Sequence, residues 1–224
     1  MTGFPSWACY LSESTLLTLR EIGFERDDLP LFCAVSVALG SGEILQVLGE
    51  NGSGKTTLLR IIATSLQASA GELLWRGKPV ARNRLTYLSQ MLFIGHHAGV
   101  KPALTPRENL QWWCSLQGVD ADGSALQKIG LVGYDDTPCY QLSAGQLRRV
   151  ALARLLVSPA KLWILDEPFT AVDTNGVQLL EQLMQAHSAR GGAVILSSHQ
   201  QTAMAGVRQL NLAACKPADL VGVA

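Results

Sequence analysis

The segment that most constrains this chain is Gly49–Thr56, which reads G-E-N-G-S-G-K-T. It fits the pattern G-x-x-x-x-G-K-[ST], in which glycines let backbone N–H groups surround a phosphate. The apolar run Ile44–Leu48 precedes it, and a helical pattern follows from Thr57. The helix would present its positive N-terminal end to the same anion. The sequence therefore predicts a nucleotide-phosphate site on a strand–loop–helix unit.

Two side chains of this P-loop are expected to make direct contacts with the nucleotide phosphates or the metal ion. Lys55 would reach the outer phosphates, and the Thr56 hydroxyl would bind Mg²⁺. The other contacts would come from inward-pointing backbone N–H groups. The predicted nucleotide-binding residues are Gly49, Glu50, Asn51, Gly52, Ser53, Gly54, Lys55, Thr56 and Thr57.

A second motif, Leu142-Ser143-Ala144-Gly145-Gln146, opens a long helical stretch. Ser143 and Gln146 stand three apart, which is the spacing of a capping box, so Ser143 is expected to cap the helix. The motif is also similar to the L-S-G-G-Q signature of ABC-type ATPases, with Ala144 replacing the first glycine. The adjacent pair Arg148-Arg149 is interpreted as part of a solvated helix face.

The acidic pair Asp166-Glu167 follows the apolar run Leu162–Leu165. Such a run is typical of a strand buried on both faces of a parallel sheet, whose carboxyl end meets the ligand. Asp166 is expected to hold Mg²⁺, directly or through water, and Glu167 to polarise the attacking water as general base. Two acidic residues at the start of a helix are common, and that would be a sufficient explanation of the pair taken by itself. It does not explain why the pair follows the two earlier motifs in this order.

With these motifs in this order, the chain resembles the nucleotide-binding domain of ABC transporters over nearly all of its length. The resemblance implies an α/β fold of the P-loop NTPase (ABC ATPase) class. Its parts would be a mainly parallel core sheet, a small antiparallel β lobe and an inserted helical subdomain. A single domain is expected over 1–224, with the core at about 16–96 and 143–213 and the helical subdomain at about 97–142.

The same resemblance assigns residues to roles. It implies ATP and Mg²⁺ as cofactors, Glu167 and His199 as catalytic residues, and Thr56 and Asp166 as metal ligands. Asp173 would lie in the D-loop, which contacts the opposite subunit. In a homodimer, the signature of one subunit would contact the ATP of the other through Ser143, Ala144, Gly145 and Gln146.

Two positions fit the general ABC pattern less closely. His96 stands where most members have the Q-loop glutamine, counting back from 108–110. Imidazole suits softer metals than Mg²⁺, so His96 is expected to act through water or to couple the site to a partner. A haem or metal site with His97 is disfavoured, because adjacent strand residues face opposite ways. Phe24 lies near the family's adenine-stacking position, with Phe32 or a structural role as alternatives.

Longer stretches resemble the haem exporter ATP-binding subunits of cytochrome c maturation, namely Phe93–Leu110, Leu162–Val177 and the pair His199-Gln200. This resemblance implies a homodimer that works with integral membrane permease subunits and drives release of a haem-loaded chaperone. Haem would be handled by the complex, and no C-x-x-C-H motif supports its attachment to this chain.

The residues alone leave other functions possible. The ATPase subunit of a different exporter, for drugs or lipids, would carry the same motifs. Soluble ABC proteins of DNA repair or translation carry long coiled coils or paired cassettes, whereas only about 90 residues separate Lys55 from Ser143 here. A GTPase is disfavoured because no N-K-x-D motif occurs.

Composition excludes few partners, but it bears on nucleic-acid binding and on cellular location. The formal net charge is +0, which gives no electrostatic case for nucleic-acid binding. No run reaches the roughly 18 apolar residues of a membrane span, and Met1–Thr15 lacks a signal-peptide layout. The chain is therefore expected to stay in the cytoplasm, and the resemblance implies a peripheral place on the cytoplasmic face of the inner membrane. Free thiols are predicted for Cys9, Cys33, Cys114, Cys139 and Cys215.

Overall fold

The computed structural model describes residues 14–27, 29–199, 201–202 and 204–215. Within these ranges, none of the helices combines the length and the apolar character that a bilayer span requires. Cys9, Gln200 and nearly all of the N-terminal stretch discussed above lie outside the described residues.

Three strands open the described chain, and four α-helices follow one another between the sixth and the seventh strand. The strands are β1 (Thr15–Arg26), β2 (Leu29–Gly40), β3 (Ile44–Leu48), β4 (Ala70–Trp75), β5 (Lys78–Pro79), β6 (Met91–Ile94), β7 (Leu162–Leu165), β8 (Ala193–Ser198) and β9 (Arg208–Asn211). The helices are α1 (Lys55–Ile62), α2 (Arg84–Leu88), α3 (Pro106–Gln117), α4 (Ala125–Lys128), α5 (Ala144–Leu152), α6 (Arg154–Val157) and α7 (Thr174–Ala189).

The core sheet has the strand order β6-β7-β8-β3-β9, and every pairing in it is parallel. Each residue of β7 and β8 is buried, as expected of central strands covered on both faces. β3, which leads into the P-loop, and β7, which leads into the acidic pair, flank β8 on either side. The two motifs therefore meet at the carboxyl edge of one sheet, and the predicted parallel α/β core is confirmed.

A separate antiparallel sheet has the order β2-β1-β4-β5. Gly71, the second residue of β4, has a positive φ of 82°, and a Cβ there would lie 2.4 Å from the carbonyl oxygens of Arg20 and Glu21. The close approach of β4 to β1 therefore requires glycine at this position. This sheet is the predicted antiparallel lobe, and its strand β2 brings Leu31 and Phe32 against the P-loop.

An aromatic stack anchors the long helix α7 to the core sheet. The rings of Trp163 on β7 and His187 on α7 are parallel, with centroids 3.8 Å apart. Burial lowers the pKa of His187 to about 4, so the imidazole is neutral at physiological pH. The stack fixes α7, and α7 in turn fixes Asp173, whose carboxylate caps its first turn by accepting the Gly176 N–H at 3.0 Å.

The stretch 97–142 leaves the core sheet after β6 and returns just before α5. Its main helix, α3, begins with a capping box, in which Thr105 and Glu108 each accept the other's backbone N–H. The buried Asn109 amide donates to the carbonyls of Lys101 and Thr105, which fixes the preceding loop. Turns make up much of the remainder, and the status of this stretch as a separate subdomain stays a prediction.

Candidate functional site

A cavity of about 360 Å³ opens at the carboxyl edge of the core sheet. Seven of the nine predicted nucleotide-binding residues line it, and Gly49 and Ser53 line the space next to it. Gly54, with φ of 99°, starts α1, and a Cβ there would lie 2.8 Å from the Phe32 ring. The loop can therefore be this compact only with glycine at that position.

Lys55 folds back over the P-loop. Its ammonium donates to the carbonyl oxygens of Gly49 at 2.7 Å and Glu50 at 3.1 Å. It also lies 3.3 Å from Nδ1 of His199 and 3.7 Å from Oε1 of Glu167. A buried cation held by neutral carbonyls at a helix start creates a site suited to an anion.

The buried Asp166 carboxylate lines a neighbouring cavity, which shares Thr56 and His96 with the P-loop cavity, and only one of its two oxygens is hydrogen-bonded. Its Oδ1 accepts hydrogen bonds from the Thr56 hydroxyl at 3.1 Å and the Ser197 hydroxyl at 2.7 Å. Among the described residues, its Oδ2 has no hydrogen-bond partner. A buried carboxylate oxygen without a partner is costly, so this donor set is chemically suited to a hard cation.

Glu167 is held in an unusual backbone conformation. Its φ is 47°, in the left-handed region where a residue with a Cβ is strained. Its N–H donates to the Ser197 hydroxyl at 2.9 Å. The carboxylate Oε1 lies 3.2 Å from Nε2 of His199. The turn after β7 thus directs the Glu167 carboxylate into the cavity beside Lys55 and His199.

His96 lines the same cavity as the P-loop residues Lys55, Thr56 and Thr57 of α1. It and His97 are exposed and lie in the loop after β6, not on a strand. Their ring centroids are 5.6 Å apart in an edge-to-face arrangement. The expectation that strand geometry would separate the two rings was therefore wrong, because the strand ends at Ile94. No cluster of three or more potential metal ligands occurs in the ranges that the structure covers.

The predicted capping box at the signature is present. The Ser143 hydroxyl accepts the Gln146 N–H at 3.2 Å, and the Gln146 side chain accepts the Ser143 N–H at 2.8 Å. Gly145 packs against the D-loop, since a Cβ there would lie 3.0 Å from the Ala171 carbonyl. Within the described chain, the residues that line the P-loop cavity include no signature residue. A single subunit therefore keeps its signature apart from its own P-loop.

Asp173 is connected to the signature helix. Besides capping α7, its carboxylate accepts from Arg149 at 2.7 Å. The backbone hydrogen bond from Gly176, followed by the nearby Arg149, lowers the pKa of Asp173. Arg149 also donates to the carbonyls of Ile129 and Gly130. This arginine thus joins α5, the D-loop and the 97–142 stretch.

The interpretation of Arg148 as part of a solvated face was wrong. The residue is 5% exposed, and its guanidinium donates to the carbonyl oxygens of Gly95, Asp166 and Glu167. The sequence contains a pattern that predicts the burial of Arg148. Arg148 shares the helical spacing i, i+3, i+4, i+7 with the buried residues Ala151, Leu152 and Leu155, which is the spacing of an inward-facing stripe.

Arg26 and Leu31 of the antiparallel sheet line the P-loop cavity, whereas Phe24 and Phe32 do not. The Phe32 side chain is buried against Gly54, and its ring centroid is 6.4 Å from that of Phe24. Phe32 therefore packs against the P-loop, which agrees with the structural role that was one of the alternatives. The residue that stacks on adenine stays a prediction.

Comparisons with known proteins agree with this geometry. The ABC transporter family matches residues 32–170. A "Cytochrome c biogenesis ATP-binding export protein CcmA" from Saccharophagus degradans is 44% identical over 211 residues, covering 89% of this chain and 94% of that protein. The protein of the same description from Yersinia pestis is 50% identical over 188 residues, covering 83% and 86% respectively.

Solved structures share the fold. A putative ABC transporter ATP-binding protein from Pyrococcus furiosus superposes with a TM-score of 0.79 at 26% identity, covering 90% of this chain and 99% of that one. A dimeric post-hydrolysis ATP-binding cassette bound to ADP and phosphate superposes with a TM-score of 0.73 at 22% identity, covering 83% and 88%.

Proposed function

Because the chain belongs to the ABC transporter family of ATP-binding proteins, we propose that its ATPase activity drives a membrane complex of cytochrome c biogenesis. The observation that carries this proposal is the similarity, over more than four fifths of the chain, to proteins described as cytochrome c biogenesis export ATPases. The chain is an ATP-hydrolysing subunit. Its place in a haem-handling complex, its partners and its position at the inner membrane are the proposed part.

ATP would bind with its phosphates in the P-loop. Lys55, whose ammonium donates to the Gly49 and Glu50 carbonyls at the P-loop, would contact the outer phosphates. Thr56 and Asp166 would hold Mg²⁺, and Oδ2 of Asp166, which has no hydrogen-bond partner within the described part of the chain, supports that assignment. When bound, Mg²⁺ would stabilise negative charge on the phosphoryl oxygens.

Hydrolysis would depend on Glu167 and His199. The Glu167 carboxylate would accept a proton from, and orient, the attacking water. His199, 3.2 Å from that carboxylate, would donate a hydrogen bond to the γ-phosphate as charge develops. Both groups lie at the cavity mouth beside Lys55, so the three would act on one phosphate.

Two copies of the chain would enclose two ATP molecules. The signature helix of one subunit would present its capped N-terminus, with Ser143 and Gly145, to the γ-phosphate bound by the other. Loss of that phosphate would remove the contact and let the subunits separate. The 2.7 Å ion pair between Arg149 of the signature helix and Asp173 of the D-loop would transmit this separation to the D-loop.

The membrane partners would be integral permease subunits of the cytochrome c maturation type, and the work done would be release of a haem-loaded chaperone. Haem would be handled by the complex rather than by this chain. The alternative is an ATPase subunit of another exporter, for drugs or lipids, which would use the same cavity.

Affinity purification of the tagged chain from detergent-solubilised membranes, with Mg²⁺ and ATP present, tests the proposal. We expect an integral membrane protein of cytochrome c biogenesis to co-purify, and the cells to lose mature cytochrome c when the chain is removed. Recovery of a drug or lipid permease instead, with cytochrome c unaffected, would contradict the assignment.

His96→Gln tests the proposed coupling role of His96. The side chain is exposed in the loop that borders the cavity, and glutamine can reproduce a water-mediated hydrogen bond. We therefore expect ATP hydrolysis by the isolated protein to stay within about threefold of the parent, and cytochrome c maturation to fall. The measurements are steady-state ATPase rates and cytochrome c yield in complemented cells.

A collapse of ATPase activity in isolated His96→Gln would reject the coupling role. His97→Gln is the matched control, because it alters the neighbouring exposed imidazole. Its effect on both measurements should be small.

A further inference from the structure

The buried guanidinium of Arg148 connects three parts of the site that are far apart in the chain. It projects from the signature helix α5, and it donates to the Gly95 carbonyl at 2.6 Å, the Asp166 carbonyl at 2.9 Å and the Glu167 carbonyl at 3.0 Å. All three acceptors are main-chain atoms, so the contacts hold backbone positions and do not neutralise a side chain. The planar fork of arginine is suited to such a set of acceptors, whereas lysine is not.

Two of these acceptors belong to the turn that carries the catalytic base. Glu167 has a φ of 47°, a conformation that persists only when surrounding contacts enforce it. Arg148 holds the carbonyl of this residue, and Ser197 holds its N–H. The strained turn is thus fixed from both sides, and its orientation sets where the Glu167 carboxylate points.

The third acceptor lies in the loop that carries His96. Gly95 immediately precedes His96, and its carbonyl receives the shortest of the three hydrogen bonds. A shift of α5 would therefore move the backbone beside Glu167 and beside His96 together. Displacements of about 1 Å at such positions can cost on the order of 100-fold in rate.

The charge itself is costly to bury, which argues against an incidental contact. Burial lowers the pKa of Arg148, and the nearby carboxylates of Asp166 and Glu167 oppose that effect. Among the described residues, its Nε has no hydrogen-bond partner. An apolar residue would fill this inward-facing position of α5 at lower cost if packing were the only requirement.

We propose that Arg148 is a positioning residue that ties the signature helix of a subunit to that subunit's own Glu167 turn and His96 loop. When the signature of one subunit contacts the ATP held by the opposite subunit, Arg148 then adjusts the position of Glu167 and the His96 loop in the first subunit. This inference rests on the proposed function, since it requires the two-subunit arrangement. It assigns a regulatory link to a residue that does not touch nucleotide.

Arg148→Gln is the test, with Arg154→Gln as the matched control. Arg154 is also a partly buried arginine, and it donates to the carbonyls of Ala98 and Gly99 in the same loop instead of to those of Asp166 and Glu167. For Arg148→Gln we expect kcat for ATP to fall at least about tenfold, with KM changed less than about threefold. For Arg154→Gln we expect a comparable fall in thermal unfolding temperature and a near-parental kcat. Equal losses of kcat in the two variants would mean a merely structural role and would overturn the proposal.

The link to the signature is tested by a double-mutant cycle with Ser143→Ala. If Arg148 transmits the signature contact, the double variant will be little slower than the slower single variant. Effects that multiply would overturn the link. Should Arg148→Gln fail to fold, Arg148→Lys serves in both tests, since lysine keeps the charge but cannot reach all three carbonyls.

The controls separate this inference from the proposed function. A parent protein that hydrolyses ATP, a Glu167→Gln variant that does not, and a parent-like Arg148→Gln variant would overturn the inference alone. A parent protein that binds no ATP would overturn both.

Discussion

Replacing Glu167 with glutamine is expected to slow ATP hydrolysis by at least about 100-fold while ATP binding persists, because the amide cannot accept the proton of the attacking water. The substitution keeps the size of the side chain, so its place beside His199 and Lys55 should be retained. Bound ATP should then remain intact between two subunits. The variant is expected to elute as a dimer with Mg²⁺ and ATP, and as a smaller species with ADP.

Single-turnover hydrolysis and size-exclusion chromatography with light scattering are the measurements. Glu181→Gln is the matched control, because Glu181 accepts from the Thr202 hydroxyl at 2.8 Å and an amide oxygen can do the same. Parental hydrolysis by Glu167→Gln would show that another group activates the water. A variant that hydrolyses slowly but never forms a dimer would instead contradict the two-subunit arrangement.

Asp166→Asn is expected to abolish Mg²⁺-dependent hydrolysis without lowering the stability of the nucleotide-free protein. Hydrolysis should fall by at least about 100-fold, since metal-ion stabilisation of the transition state contributes several kcal/mol. The buried Oδ2 of Asp166 has no hydrogen-bond partner among the described residues, so removing the negative charge removes a desolvation cost, which we expect to offset the lost attraction to the buried Arg148 guanidinium. The same variant would therefore lose its activity and keep its stability.

Activity titrated with Mg²⁺ and thermal unfolding without nucleotide measure the two effects. Asp136→Asn is the control, because that carboxylate is exposed and paired with Arg107 at 2.9 Å. It should leave hydrolysis unchanged. If Asp166→Asn responded to Mg²⁺ like the parent, the carboxylate would not be a metal ligand. A marked fall in its unfolding temperature would mean that Asp166 is chiefly structural.

Local features of the site were predictable because they depend on neighbours in sequence. The capping box at Ser143 and Gln146 joins residues three apart, and the P-loop depends on glycines whose φ values of 78° and 99° few other residues adopt. The approach of the P-loop to the acidic pair also followed from the sequence, because the carboxyl ends of parallel strands share one edge.

Predictions that required knowing where an element ends were less secure. The separation of His96 and His97 was argued from strand geometry, but β6 ends at Ile94 and the two rings meet in the loop beyond it. The adenine-stacking position was left open between Phe24, Phe32 and a purely structural role, because the spacing to the family pattern is loose. In the structure, Leu31 lines the cavity while Phe32 packs beneath Gly54.

The sequence by itself determined the kind of protein, a parallel α/β ATPase of the ABC transporter family, and it predicts a phosphate loop, a metal-binding carboxylate and a general base. Tertiary structure alone decided how these groups are held. Arg148 meets Gly95 across 53 positions of the chain and Asp166 across 18, and such contacts exist only once α5 has packed against the end of β7. Motifs are readable because their contacts are local, whereas the burial of a charge depends on every element that excludes water from it.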